Sequence, residues 1–91
     1  MNTYKSPERI TALNYDNVLN DLMSLISTGT NVTIDMSETT YLSSAGLRTL
    51  LMSAKILRSK GMKPLRIINI RDSVKSVIEI VCFDEFLDIE Q

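Results

Sequence analysis

The sequence predicts an α/β fold, with a narrow and mostly parallel sheet covered by helices. Segments with the two-residue period of a strand alternate with segments that have the period of a helix. The 91 residues suffice for one modest core, and 44% hydrophobic and 23% charged residues are ordinary for a globular chain. Residues 1–9 are polar and include Pro7, so we expect a loose N-terminal arm there and a single domain over residues 10–91.

The first half of this domain predicts a strand, a helix and another strand. Residues 10–13 favour a short strand. The next apolar residues recur on one face of a helix: Val18, Leu22, Leu25 and Ile26. Asn14 is a suitable residue to begin this helix, and Gly29 is suitable to end it. Residues 32–36 then alternate apolar and polar side chains, which is typical of a strand.

The second half predicts a longer helix, a strand, a third helix and a last short strand. The longer helix spans about residues 44–59 and has a clear apolar stripe: Leu47, Leu50, Leu51, Ala54 and Leu57. Gly61 and Pro64 favour its end. Residues 65–70 are typical of a strand, and Asp72 or Ser73 caps the third helix. Residues 87–89 predict the final strand.

The chemical inventory argues against several classes of function. The net charge is −1, and both signs are mixed without the basic cluster that nucleic-acid binding favours. The chain has no histidine, and its three glycines form neither a dinucleotide-binding nor a phosphate-binding loop. We therefore predict a protein that is not an enzyme and has no cofactor. Asp35 and Asp72 lack a third ligand, so no metal site is predicted.

The sequence also favours a cytoplasmic protein. Residues 1–9 have no apolar core segment of the kind that a signal peptide requires. No apolar run approaches the ~20 residues that cross a bilayer. The chain has one cysteine, Cys82, which lies in an apolar run. A buried, reduced thiol is the simplest interpretation, because one cysteine cannot form an internal disulfide.

Two adjacent serines, Ser43 and Ser44, stand between a strand pattern and the longest predicted helix. A helix begins with unpaired backbone N–H groups and the positive end of its dipole, so a hydroxyl there is a good cap. The same position tolerates an added phosphate. Gly46 follows one turn inside, where it permits either close packing or the approach of a partner to the backbone. The residue types leave these alternatives open.

Two short motifs resemble a known family. The run Asp35-Met36-Ser37, followed by Tyr41-Leu42-Ser43-Ser44-Ala45-Gly46-Leu47, resembles the signature of STAS domains, the sulfate-transporter and anti-sigma-factor-antagonist domains. The order of predicted elements also matches, and the resemblance covers residues 10–91. It implies a STAS-like domain with a small α/β fold.

The resemblance implies a role in partner switching. In single-domain members, a serine kinase that is also an anti-sigma factor binds the unmodified domain and releases it after phosphorylating a serine in this turn. A phosphatase then resets the domain. The position of that serine corresponds to Ser44. The surface implied for partner binding consists of Thr40, Tyr41, Ser43, Ser44, Gly46, Leu47 and Arg48.

This chain departs from the family pattern in the turn and at its N-terminus. Ser43 replaces the family's aspartate, and Ala45 replaces a second hydroxyl residue. Members usually have two strands before the first helix, whereas residues 9–13 leave room for only one here. The missing strand predicts an exposed sheet edge that could pair two copies of the chain. The altered turn and the shortened start both favour an alternative role, a non-phosphorylated accessory or scaffold subunit, for example of a transport system.

Overall fold

A computed structural model describes residues 2–80 and 87–90 of the chain. Its elements confirm the predicted α/β class and follow in this order: β1 (Asn2–Lys5), β2 (Arg9–Ile10), α1 (Tyr15–Ile26), β3 (Val32–Asp35), β4 (Tyr41–Leu42), α2 (Ser44–Ser59), β5 (Leu65–Ile68), α3 (Asp72–Ile80) and β6 (Leu87–Glu90). The predicted burial of Cys82 lies outside the described residues.

The main sheet has four parallel strands in the order β1-β3-β5-β6, and a second, two-stranded parallel sheet joins β2 to β4. Helices α1 and α2 contact each other, α1 also contacts β1 and β3, and α2 contacts β5. Because parallel strands need crossover connections, each helix carries the chain back to the starting end of the next strand. Side chains that follow β1, β3 and β5 therefore meet at one end of the sheet.

The predicted apolar stripes form the core. On α1, Val18, Leu22 and Ile26 are buried, and the stripe of α2 is buried except for the partly exposed Leu51. These helices cover Ile34 and Ile67 of the central strands, which have at most 1% of their surface exposed. Helix α2 has the predicted bounds, and Gly61 follows it with a φ of 70°, the left-handed conformation that commonly ends a helix.

The prediction of a loose arm over residues 1–9 was wrong, as was the prediction of a single strand before the first helix. Residues 2–5 form β1, which pairs in parallel with β3 and is an edge of the main sheet. The sequence gives no apolar pattern for this strand because an edge strand buries few side chains: Thr3 and Lys5 are exposed, and Tyr4 is only partly buried. The sheet edge attributed to a missing strand is therefore occupied by β1.

Two local predictions also differ from the structure. The structure forms β4 in a segment predicted to be a polar turn, where two residues pair with β2. Strand β5 ends at Ile68 instead of Ile70, since Asn69 takes a φ of 57° that interrupts the strand. Asn14 precedes α1, but its side chain bonds backward to the Thr11 N–H and the Arg9 carbonyl.

A buried pair of hydroxyls fixes β1 to the loop before β4. The Ser6 Oγ lies 2.5 Å from the Thr39 Oγ1, which also donates to the Pro7 carbonyl at 2.7 Å. Thr39 is fully buried and Ser6 is 2% exposed. These bonds join two segments that are far apart in the sequence, at the end of the sheet where the serine turn begins.

We expect Thr39→Val to lower the free energy of unfolding by about 1–3 kcal/mol, because a methyl group would leave the Pro7 carbonyl and the Ser6 hydroxyl without this partner. Urea unfolding followed by circular dichroism measures the change. Thr40→Val is the matched control: Thr40 is exposed, and its hydroxyl donates only at 3.4 Å to the Glu8 carbonyl. Equal stability of the two variants would contradict this role for Thr39.

Candidate functional site

A shallow groove of about 640 Å³ lies where the β2–β4 sheet meets the start of α2. It is lined by Arg9, Thr11, Ala12, Leu13, Tyr41, Ser43, Ser44, Ala45 and Arg48. Strand pairing assembles it, since β2 and β4 align Arg9 with Tyr41 and Ile10 with Leu42. The loop after β2 and the first turn of α2 are thereby brought side by side.

The two serines of the turn have different positions and contacts. Ser43 caps α2, and its Oγ accepts the Gly46 N–H at 3.3 Å while its carbonyl accepts the Leu47 N–H at 2.9 Å. Ser44 is the first residue of the helix and is exposed. Within residues 2–80 and 87–90, its hydroxyl has no hydrogen-bond partner. A reagent or a second protein can therefore reach the Ser44 hydroxyl without disturbing the cap.

Gly46 and Leu47, two members of the predicted partner-binding set, do not belong to the accessible surface. Leu47 is 8% exposed, and Gly46 is buried against Ile10 and Leu42. A Cβ at position 46 would lie 2.6 Å from the Leu42 Cδ1 and 2.8 Å from the Ile10 carbonyl oxygen. Of the two alternatives for this glycine, the structure shows close packing of α2 on the small sheet.

The remaining predicted contact residues are accessible and lie together. Thr40, Tyr41 and Arg48 are exposed, and Ser43 is partly exposed. The Arg9 guanidinium stacks on the Tyr41 ring, 4.4 Å from its centre, which fixes a second cation at the groove beside Arg48. Stacking of this kind holds an exposed arginine in one direction while its N–H groups stay available.

Two residues at the groove, Arg9 and Leu13, were not predicted from the sequence as site residues. Leu13 is 93% exposed and lines the groove beside Ser44. The apolar character of residues 10–13 predicted a strand, but the strand ends at Ile10, so Leu13 lies in the loop that follows β2 and borders the groove. No local pattern identifies Arg9, because its place beside Tyr41 depends on the pairing of β2 with β4.

The aspartate of the first motif has a structural function. Asp35 Oδ1 accepts the Ser37 N–H at 2.9 Å and the Asn69 Nδ2 at 3.2 Å, so it joins the ends of β3 and β5. The bond from the Ser37 N–H is the main cause of the lowered pKa of the Asp35 carboxyl, with smaller contributions from Asn69 and Lys5. This carboxylate holds the loop that leads into β4 and the serine turn.

Asp35 should make the fold sensitive to acid. Because the folded-state pKa is below the ordinary 3.8, its stabilisation is present above that value and is lost as the pH falls through the folded pKa. We expect Asp35→Asn to lower the free energy of unfolding at about pH 6. Between about pH 5 and pH 2, the free energy of unfolding should fall less for this variant than for the native chain. Urea unfolding across that range measures this, with Asp88→Asn as control. Parallel pH profiles for Asp35→Asn and the native chain would contradict it.

Within the described ranges, no three acidic, histidine or cysteine side chains are grouped closely enough to hold a metal ion. None of the helices in the same ranges is both long and apolar enough to cross a membrane. The chemical groups that the groove presents are the exposed Ser44 hydroxyl, the guanidinium groups of Arg9 and Arg48, and the exposed Leu13 side chain.

Comparison with known families identifies the fold. The family model described as STAS domain matches residues 3–91, nearly the whole chain, and the match includes residues 3–5 of β1. No curated protein matches the chain significantly. STAS domains are generally non-enzymatic. The described residues form a parallel four-stranded sheet and three helices, an architecture consistent with this family. The chain belongs to the STAS domain family.

Proposed function

We propose that this STAS domain is an anti-sigma factor antagonist in a partner-switching pathway that regulates transcription in the cytoplasm. Unphosphorylated, it binds a serine kinase that is also an anti-sigma factor. Phosphorylation of Ser44 releases that partner, and a phosphatase restores the binding form. In this proposal the domain is a non-enzymatic binding protein with no cofactor, and the contact surface is Thr40, Tyr41, Ser43, Ser44 and Arg48.

The observation that carries the proposal is the separation of two functions between adjacent serines. Ser43 provides the cap of α2, whereas Ser44 exposes an unbonded hydroxyl at the first helical position, within the described part of the chain. Phosphate on Ser44 would add about −1.5 to −2 charges at pH 7 without removing a hydrogen bond of the fold. A charge of this sign at a helix N-terminus is favourable by about 0.3–1 kcal/mol at an exposed site.

The same charge opposes binding when a partner covers it. A protein surface closed over Ser44 would remove water from the dianion. This desolvation costs several kcal/mol unless positively charged side chains of the partner pair with the phosphate. Since each 1.4 kcal/mol changes an affinity about tenfold, the partner can dissociate while the domain stays folded. The switch then operates at an interface and needs no rearrangement of the domain.

The proposal is tested with the serine kinase encoded nearest to this chain. We expect ATP and that kinase to label the native chain at Ser44, as located by mass spectrometry, and to label Ser43→Ala at the same residue. Ser44→Ala should remain unlabelled, and Ser44→Asp should bind the kinase more weakly than Ser44→Ala. Absence of label on Ser44, together with equal binding of the Asp and Ala variants, would contradict the proposal.

One departure from the family favours a second candidate function. Ser43 stands where the family has an aspartate beside the acceptor, and a kinase that reads this carboxylate would find only a hydroxyl engaged in the cap. The alternative is a non-phosphorylated accessory or scaffold subunit, for example of a transport system. Co-purification separates the two: a transporter ATPase supports this alternative, whereas a histidine-kinase-like ATPase domain supports the switch.

Self-association is compatible with either candidate. The chain has an edge strand at β1, whose outer side can pair with another strand. Lys5 at the end of β1 forms an exposed ion pair with Glu38, and such edge charges oppose pairing. Size-exclusion chromatography with light scattering measures the oligomeric state directly.

A further inference from the structure

The groove beside Ser44 continues into an exposed, positively charged face of α2. Arg48, Met52 and Lys55 follow Ser44 at helical spacing and are all exposed, so they form one outward stripe. We call Arg9, Leu13, Arg48, Met52 and Lys55 the basic face. Met52 is 42% exposed and Leu13 is 93% exposed.

The α2 part of this face carries positive charge with no carboxylate on the same helix. Helix α2 has three basic residues and no acidic one, although the net charge of the whole chain is −1. Ion pairs join Lys5 to Glu38 and Arg66 to Glu90, and among the described residues neither Arg48 nor Lys55 has an acidic partner. The cations of the basic face are therefore available to an outside group.

The two apolar residues distinguish this face from a nucleic-acid surface. A flexible exposed methionine and a nearly fully exposed leucine are unfavourable in water and fit an apolar pocket on another protein. The only aromatic ring at the groove, Tyr41, is covered on one face by the Arg9 guanidinium within the described structure, which leaves little surface for base stacking.

We propose that the basic face docks on an acidic surface of the protein partner, with partner carboxylates opposite Arg9, Arg48 and Lys55 and an apolar pocket for Leu13. This inference rests on the proposed function and specifies the chemistry of its partner. Charge complementarity of this kind accelerates association and sets the orientation of the complex. The occupant is a folded protein with clustered carboxylates.

Such a partner makes the switch stronger. Phosphate on Ser44 would stand one helical turn from Arg48 and in the groove that Arg9 lines. Its charge of about −1.5 to −2 would offset those two cations and repel the partner's carboxylates. Release would then combine lost attraction with new repulsion.

The test measures affinity for the same kinase at about 0.05 M and about 0.5 M NaCl. We expect Arg48→Glu and Lys55→Glu each to weaken binding about tenfold or more at low salt, mainly by slower association, and high salt to reduce the difference. Lys63→Glu is the matched control: it makes the same charge change at an exposed site beside β5, away from the basic face, and should change the affinity less than about twofold.

A Leu13→Ala variant tests the apolar contact, and it should mainly accelerate dissociation. Native-like folding of each variant is checked by circular dichroism. Affinity that is independent of Arg48 and Lys55 would overturn the inference. So would tighter binding of a 20-base-pair DNA probe than of the kinase, or a dimer of this chain that Arg48→Glu dissociates.

The two proposals can fail separately. Charge-dependent binding without phosphate on Ser44 would overturn the switch and support the acidic docking partner. Phosphorylation of Ser44 with binding indifferent to both charge reversals would support the switch and overturn the acidic docking partner.

Discussion

Replacing Gly46 by valine is expected to lower the free energy of unfolding by about 3 kcal/mol, near the upper end of the usual cost of overpacking a core. The first side-chain atom would lie 2.8 Å from the Ile10 carbonyl oxygen. That oxygen accepts the Ser43 N–H at 3.0 Å, so β2 cannot yield without disturbing the residue that caps α2. Leu42 on the other side of the contact is also buried.

Thermal unfolding measures this effect, and a loss of this size should lower the midpoint by about 12–24 °C in a domain of this length. Gly46→Ala should also destabilise the chain, although alanine raises helix propensity by about 1 kcal/mol. Gly61→Ala is the control. That glycine has a φ of 70° but open space around it, so any loss of stability in this variant comes from backbone strain and not from packing. A more stable Gly46→Ala would contradict the close packing described above.

Phosphorylation of Ser44 is expected to weaken binding of the proposed kinase by a factor of about several hundred. The phosphate would have to be desolvated under the partner, would neutralise the cations of the groove and would repel the partner's carboxylates, and each 1.4 kcal/mol of these effects is about tenfold in affinity. The stability of the free domain should change by about 1 kcal/mol or less, because the charge lies at an exposed helix N-terminus. Calorimetric titration and thermal unfolding of the same phosphorylated sample measure both quantities.

The control for this prediction is Ser43→Ala. Loss of the cap should cost about 1 kcal/mol of stability while leaving partner affinity closer to native than phosphorylation does. Phosphorylated chain that unfolds at a much lower temperature would contradict a switch confined to the interface. Phosphorylated chain that binds as tightly as the native chain would contradict the role of Ser44.

The helices were predictable because the residues that determine each helix are close together in the sequence. A repeating apolar stripe, with Gly61 and Pro64 beyond it, is enough to place α2 at its observed bounds. Strand β1 was not predictable in the same way. An edge strand that leaves Thr3 and Lys5 exposed has no apolar alternation, and its stability comes from pairing with β3 and from the buried Ser6 hydroxyl.

The candidate site was predictable only in part, for the same physical reason. The helix start and its two serines are local features, and one of these serines, Ser43, caps the helix through its bond to the Gly46 N–H. The accessible groove depends on contacts distant in sequence. Arg9 meets Tyr41 because β2 pairs with β4, and Leu13 reaches the groove from the loop that follows β2.

The most direct test of the account is an NMR titration of the ¹⁵N-labelled chain with the unlabelled kinase. A second protein that binds at the Ser44 hydroxyl should shift or broaden the backbone amide signals of residues 11–13 and 40–48 at the lowest kinase concentrations. The signals of the exposed turns of α2 should follow as more kinase is added. The groove at the opposite end of the sheet, near Lys63 and Asp88, should be unaffected. Perturbations confined to that opposite groove, with the amide signal of Ser44 unchanged, would contradict the account.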